Sequence, residues 1–162
     1  MRRLFIPIVL AALMGLAAQP AWASTSGAHF LSATSAVNDN GALVVSWDEA
    51  GLGNENIDYT LTADATATYA CINGGGNHPK AANKETVADQ VSAGGSFQAK
   101  NGRVKASLTT GPLSAGGFTC PSGQTLVLAR VTYANIVLTD TTNTVTANPS
   151  DVCRSFSSLF PC

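Results

Sequence analysis

This 162-residue chain is poor in charge and in the side chains that do most enzyme chemistry. It has 9 Lys+Arg, 10 Asp+Glu and only 2 histidines. So few cations, with no basic stripe, remove the electrostatic footprint of a nucleic-acid binder, and no nucleic-acid partner is expected. The acids are too sparse for a solvating acidic tail. Near-neutral bases reduce to His29 and His78, and neither stands in a motif that pairs it with a nucleophile or a carboxylate. No G-x-S-x-G surrounds any serine. No segment has the 3.6-residue apolar period of an amphipathic helix. Long apolar runs are absent after residue 18, so no membrane span is expected.

The one long apolar run, Leu4–Ala18, follows Arg2 and Arg3 and precedes Ala21-Trp22-Ala23. A positive start, a short apolar stretch and a small-x-small site are the marks of a secretory signal peptide over residues 1–23. Cleavage there leaves 139 residues from Ser24, enough for one hydrophobic core. Loss of Arg2 and Arg3 leaves 7 Lys+Arg against 10 Asp+Glu, a net charge of about −3. The expected location is secreted and extracellular, where disulfides persist.

The remaining chain alternates. From Ile57 to Ile72 the apolar Ile57, Tyr59, Leu61, Ala63, Ala65, Ala67, Tyr69 and Cys71 share one parity, and Asp58, Thr60, Thr62, Asp64, Thr66 and Thr68 the other. That is a strand with a dry and a wet face, long enough to be expected to bend or break near Ala63–Thr66. Asn101-Gly102 predicts a two-residue hairpin turn in Ser96–Leu108, setting Phe97 opposite Ala106 and Ala99 opposite Val104. Asn38-Asp39-Asn40-Gly41 predicts a second turn, within Ala28–Asp48, with Phe30 and Ala36 on the face of Leu43, Val45 and Trp47. Leu126–Ala129 is apolar on both parities, as in a central strand covered on both faces. The apolar parity changes between Tyr133 and Ile136, which predicts a bulge near Ala134-Asn135. Asp140–Asn143 turns the chain into a short last strand, Thr144–Ala147. Gly-rich linkers cover Asn73–Asn83, Ser92–Ser96 and Gly111–Gly123.

Four cysteines allow three pairings. Short loops close at least entropic cost, favouring Cys71–Cys120 with Cys153–Cys162. Metal ligation is the competing reading; the spacings are not CxxC-like, and no metal or other cofactor is expected. The fold class is therefore all-β: an antiparallel, disulfide-stapled β-sandwich of immunoglobulin-like architecture over residues 24–149, with a disulfide-closed C-terminal tail over 150–162.

Two loops offer polar groups. Asn73, Asn77, His78 and Lys80, in the Gly-rich segment 73–84, are candidate ligand-binding residues; a plain connection between sheets explains the same glycines. Asp48, Glu49, Glu55 and Asp58 cluster with glycines and asparagines, so weak calcium binding competes with a solvated loop whose charges discourage edge pairing.

The run Ala67–Lys84, with Cys71-Ile72-Asn73-Gly74-Gly75-Gly76-Asn77-His78-Pro79-Lys80, together with Phe118-Thr119-Cys120-Pro121-Ser122-Gly123 and the apolar run after it, resembles a family of small secreted bacterial proteins without assigned function. The resemblance covers most of the chain after residue 23 and implies an extracellular β-rich domain with no known active site. A similarity to immunoglobulin-like domains is looser: Trp47 precedes the first cysteine, and no tyrosine corner precedes Cys120. The expected function is non-enzymatic binding or assembly at the surface, toward an unknown extracellular partner or cell-surface component. Alternatives are a carbohydrate-binding module stacking sugars on Trp47, Tyr59, Tyr69 or Tyr133, and a protease inhibitor presenting loop 73–84.

Overall fold

The computed structural model describes residues 27–73 and 83–162. They form eight strands and no helix: β1 His29–Val37, β2 Leu43–Ala50, β3 Asn56–Asn73, β4 Lys84–Gln98, β5 Arg103–Thr110, β6 Gln124–Asp140, β7 Val145–Ala147 and β8 Val152–Ser155. One antiparallel sheet runs β1-β2-β5 and the other β4-β3-β6-β7, with β8 also on β6. The inward faces meet in a core of Leu43, Val45, Trp47, Ile57, Tyr59, Leu61, Val131, Tyr133, Ile136 and Leu138. The segment 1–26, with the expected leader and its cleavage site, lies outside the described residues.

The alternation read from Ile57 to Ile72 holds in β3 as far as Ala67, with Ile57, Tyr59, Leu61, Ala63, Ala65 and Ala67 buried; beyond it Thr68, expected on the wet face, and Ala70 are buried together with Cys71, and Tyr69 is half-buried. The expected break does not occur. β3 runs unbroken for 18 residues because it is hydrogen-bonded on both sides, to β4 and to β6. The irregularity is absorbed by β6, which carries an extra residue at each of two register shifts. One of them is the bulge expected near Ala134-Asn135. There Asn135 takes a positive φ of 50°, its N–H donates to Asp151 Oδ1 and its Nδ2 to Asp64 Oδ2.

The turn after β1 forms as expected. Asn38 Oδ1 accepts from the N–H groups of Asn40 and Ala42, and Gly41 has φ 83°. Phe30 is packed against the core, but Ala36 is not on its face. A bulge between Phe30 and Ser32 reverses the parity of β1, so Ala33, Ser35 and Val37 oppose Trp47, Val45 and Leu43 and Ala36 points out. A single extra residue of this kind leaves no mark in the alternation of so short a segment.

Asn101 and Gly102 make the two-residue turn, with φ 52° and 73° and reciprocal Lys100–Arg103 backbone bonds of 2.9 and 3.1 Å. The expected ladder beyond it does not form. Phe97 pairs with Ile57 in one sheet and Ala106 with Trp47 in the other, so the turn is a corner between sheets. Ala99 donates to Glu55 O, not to a residue of β5. The sheets part here because Phe97 enters the interior between them, edge-on to Trp47 at 5.3 Å between ring centroids. A Cβ on Gly102 would lie 2.8 Å from Leu52 O, on top of the cost of a positive φ. Gly102→Val is therefore expected to cost about 1–2 kcal/mol or more. A urea titration in which the variant keeps the parent midpoint would show a looser corner.

Both disulfides, Cys71–Cys120 and Cys153–Cys162, are formed. They hold covers over the end where β3, β4 and β6 outrun the shorter strands of the first sheet. On the inner face lies the connection 111–123, anchored by Cys120 and by Leu113 O, which accepts from the Tyr69 hydroxyl. On the outer face lies the C-terminal segment. Phe156 N–H donates to Ala129 O, Arg130 donates to Pro161 O, and Lys84 stands over the Phe160 ring. Thr144–Ala147 is thus not the last strand: β8, in the tail, adds four residues to the β6 ladder. Leu126–Ala129 is covered unevenly. Ala129 is fully buried, whereas Leu126 remains 36% exposed where the connection 111–123 runs out.

Candidate functional site

The corner between β4 and β5 opens a groove of about 540 Å³ lined by Phe97, Gln98, Lys100, Arg103, Val104 and Lys105. Its construction follows from the strand divergence. Phe97 and Val104 turn inward and give an apolar floor, while Lys100, at the foot of the turn, and the outward residues of β5 supply cations. Arg103 and Lys105 share one parity on β5, facing the outward Asp48 of β2. Arg103 makes a two-pronged pair with Asp48, and Lys105 Nζ lies 3.3 Å from Asp48 Oδ2. The Arg103 guanidinium, helped by Lys105, holds the Asp48 carboxyl below the usual carboxylate range. The side chains of Arg103 and Lys105 remain 46% and 68% exposed. Arg103 and Lys105 thus share one carboxylate and Lys100 adds a third cation, so the groove carries a surplus of positive charge with an apolar base.

Behind the groove floor lies a buried polar cluster. Trp47, Tyr59 and Phe97 pack tilted or edge to face at centroid distances of 4.7, 5.3 and 5.8 Å, and Phe30 closes edge-on to Tyr59 at 6.5 Å. Tyr59 donates its hydroxyl to Glu49 Oε2 at 2.7 Å. Glu49 and Asp140 are both fully buried. Asp140 accepts from Asn143 N–H and Nδ2 at 2.8 and 2.7 Å, whereas Glu49 Oε1 and Trp47 Nε1 have no hydrogen-bond partner. Burial pushes the Glu49 carboxyl up to about 7 against the opposing Tyr59 hydrogen bond, and the nearby Asp140 adds to the rise. Burial, and the hydrogen bond given to Glu49, also raise Tyr59 well above a free phenol.

The residues singled out from sequence are dispersed. Asn73 ends β3, exposed, opposite Gln124. Asn77, His78 and Lys80 lie outside the described residues. The foot of their segment is fixed by Cys71, whose N–H donates to Asn83 O, and by Asn83 Nδ2, which donates to Gln124 Oε1. Since β3 and β4 are antiparallel, this foot and the groove lie at opposite ends of the pair. The four acids of 48–58 do not converge. Asp48 points outward to Arg103, Glu49 points into the core, and Asp58 lies on the exposed side of β3. Among the described residues no three His, Cys, Asp or Glu side chains are placed to hold a metal ion. Trp47, Tyr59 and Tyr133 are buried and Tyr69 is half-buried, so they form no exposed stacking row.

The groove was missed from sequence because Lys100 and Arg103 only flank the predicted Asn101-Gly102 turn, and a hairpin tip gives them no concave surface to share. The available signal was density, three cations within residues 100–105 of a chain that has so few. Comparison with protein-family models, with curated proteins and with solved structures finds no match to this chain.

Proposed function

We propose that this is a secreted, non-enzymatic protein that binds an acidic ligand at the cell surface or in the extracellular medium through the groove at the β4–β5 corner. The carrying observation is the convergence of Lys100, Arg103 and Lys105 on one open groove with a single facing carboxylate, Asp48. Such a surplus of one sign in a concave surface attracts and orients an opposite charge. In this reading the protein is one of the small secreted bacterial β-rich proteins it resembles. Its strand order, β1-β2-β5 facing β4-β3-β6-β7, supports an immunoglobulin-like sandwich in which the fourth strand sits beside the third. Two disulfides and the leader pattern support secretion.

Binding is favoured over assembly through sheet edges because the edges at β1, β4 and β7 each carry a guard. β1 is bulged and has Ser35 and Val37 tied to Ser150 and Arg154. β4 bears Lys84, Glu85 and Asp89 along its far half, and Ser92 O already accepts from Thr110 Oγ1. β7 is three residues long with Pro149 beyond it. The interior placement of Trp47, Tyr59 and Tyr133 weighs against sugar stacking on aromatics. The segment 73–84, including Asn73, Asn77, His78 and Lys80, is the second binding surface in this reading.

The test is fluorescence anisotropy with a fluorescein-labelled oligoglutamate at low and at moderate salt. The parent protein is expected to bind, and salt is expected to weaken the interaction by screening. Lys100→Ala with Lys105→Ala should weaken binding about tenfold or more. Equal binding by the double variant would move the site to 73–84.

A further inference from the structure

The buried carboxyls have no place in the groove, and their surroundings are unusual. Glu49 belongs to the first sheet; Tyr59 and Asp140, register partners of each other, belong to the second. The Tyr59–Glu49 hydrogen bond is therefore a polar contact across the sandwich interior. Around Glu49, β1 brings His29, β3 brings Tyr59 and the end of β6 brings Asp140, while β4 and β5 bring the apolar Phe97 and Val104. Asp48, Arg103 and Lys105 lie on the other face of their strands and are occupied with one another. No lysine or arginine is paired with Glu49 among the described residues; its Oε1 has no hydrogen-bond partner of normal geometry, and the Asp140 carboxyl beside it can share a proton with it but cannot neutralise its charge. A carboxylate left this way in a dry interior is strongly disfavoured, whereas a protonated carboxyl is tolerated.

We infer that Glu49, Tyr59 and Asp140 form a proton-operated latch between the two sheets. With Glu49 protonated the sheets close on each other, and its ionisation loosens β2 against the β6–β7 end of the second sheet. The latch operates in the direction of alkaline release. Glu49 holds its proton to about pH 7 in the folded chain, but a free glutamate loses it near 4.5. Between those values the folded state binds the extra proton, so stability falls as pH rises through the window and is level above it. The unfolding equilibrium constant should grow up to tenfold per pH unit across it. Loosening should also be local, because the covers over the far end are held by disulfides.

The experiment is urea unfolding of the parent and of Glu49→Gln between pH 4.5 and 8.5 in the chain from Ser24, where Trp47 is the one tryptophan and serves as the reporter. The parent should lose stability up to pH 7. Glu49→Gln should lack that slope and be the more stable of the two at pH 8. Equal slopes in parent and variant, or a parent with no slope, would overturn the latch. A ¹³C NMR titration of the glutamate carboxyls in the parent keeps the question decidable if the variant fails to fold. The chain has three glutamates, Glu49, Glu55 and Glu85. One of them should titrate near neutrality, and three ordinary titrations would reject the latch.

Discussion

Replacing Trp47 with alanine is expected to lower the stability of the folded chain by about 3–5 kcal/mol, the range for truncating a buried aromatic ring. Trp47 is almost wholly buried and touches both sheets. It lies on β2, with Ala33 and Ala106 beside it in the ladders, and packs tilted against Tyr59 and edge-on against Phe97 of the opposite sheet. Its neighbours in register are small, so nothing nearby fills the space it leaves, and the cavity adds to the lost burial. Trp47→Phe should cost less, since it keeps the ring contacts and removes an indole N–H that has no partner. Chemical denaturation read by far-ultraviolet circular dichroism decides between them. A Trp47→Ala variant within 1 kcal/mol of the parent would mean that the two sheets are held together elsewhere.

The second large effect concerns the longer disulfide. Replacing Cys71 and Cys120 by serine is expected to cost about 4 kcal/mol, against roughly 3 kcal/mol for Cys153 and Cys162, from the chain-entropy difference between loops of separation 49 and 9. Location separates the two further. Cys120 pins the connection 111–123 over Tyr69, Leu128 and the inner face of the long sheet. Without it the cover rests on the Tyr69–Leu113 hydrogen bond and on Leu113 packing. Hydrogen exchange should then rise across 111–123 before any change in β1, β2 or β5. Uniform loss of protection along the chain would instead mark the bridge as a purely global constraint on the unfolded state.

The groove and the latch differ in what each demands of the chain. Lys100, Arg103 and Lys105 are solvated, and their contribution to folding is small because exposed pairs such as Arg103–Asp48 are worth little. Their removal should alter binding and leave stability nearly unchanged. Glu49 is the reverse case, a buried group whose ionisation acts on folding directly. Variants at the two places therefore separate ligand binding from structural opening.

Signals carried by a few neighbouring residues were legible without the structure. Asn101-Gly102 and Asn38–Gly41 form turns because their residues accept positive φ or cap their own backbone, whatever lies around them. The dry face of β3 follows from eight apolar side chains of one parity. The bulge at Asn135 follows from the parity change between Tyr133 and Ile136, and both cysteine pairings follow from loop closure. These features determined an all-β, disulfide-stapled chain. Tertiary structure alone decided which sheet each strand joins, because a ladder hydrogen bond is the same whichever neighbour supplies it. The Asn101-Gly102 corner could have zipped into a hairpin; burying Phe97 against Trp47 outweighs the local ladder and sends β4 and β5 apart. That divergence makes the groove, so Lys100, Arg103 and Lys105 acquire a shared surface that no spacing announces. β8 is equally nonlocal, a four-residue strand whose ladder partner is β6. Glu49 looked like one acid in a polar cluster. Only the packing of the two sheets places it in a dry interior, beside Asp140 from 91 residues further along the chain, where its proton becomes part of the fold.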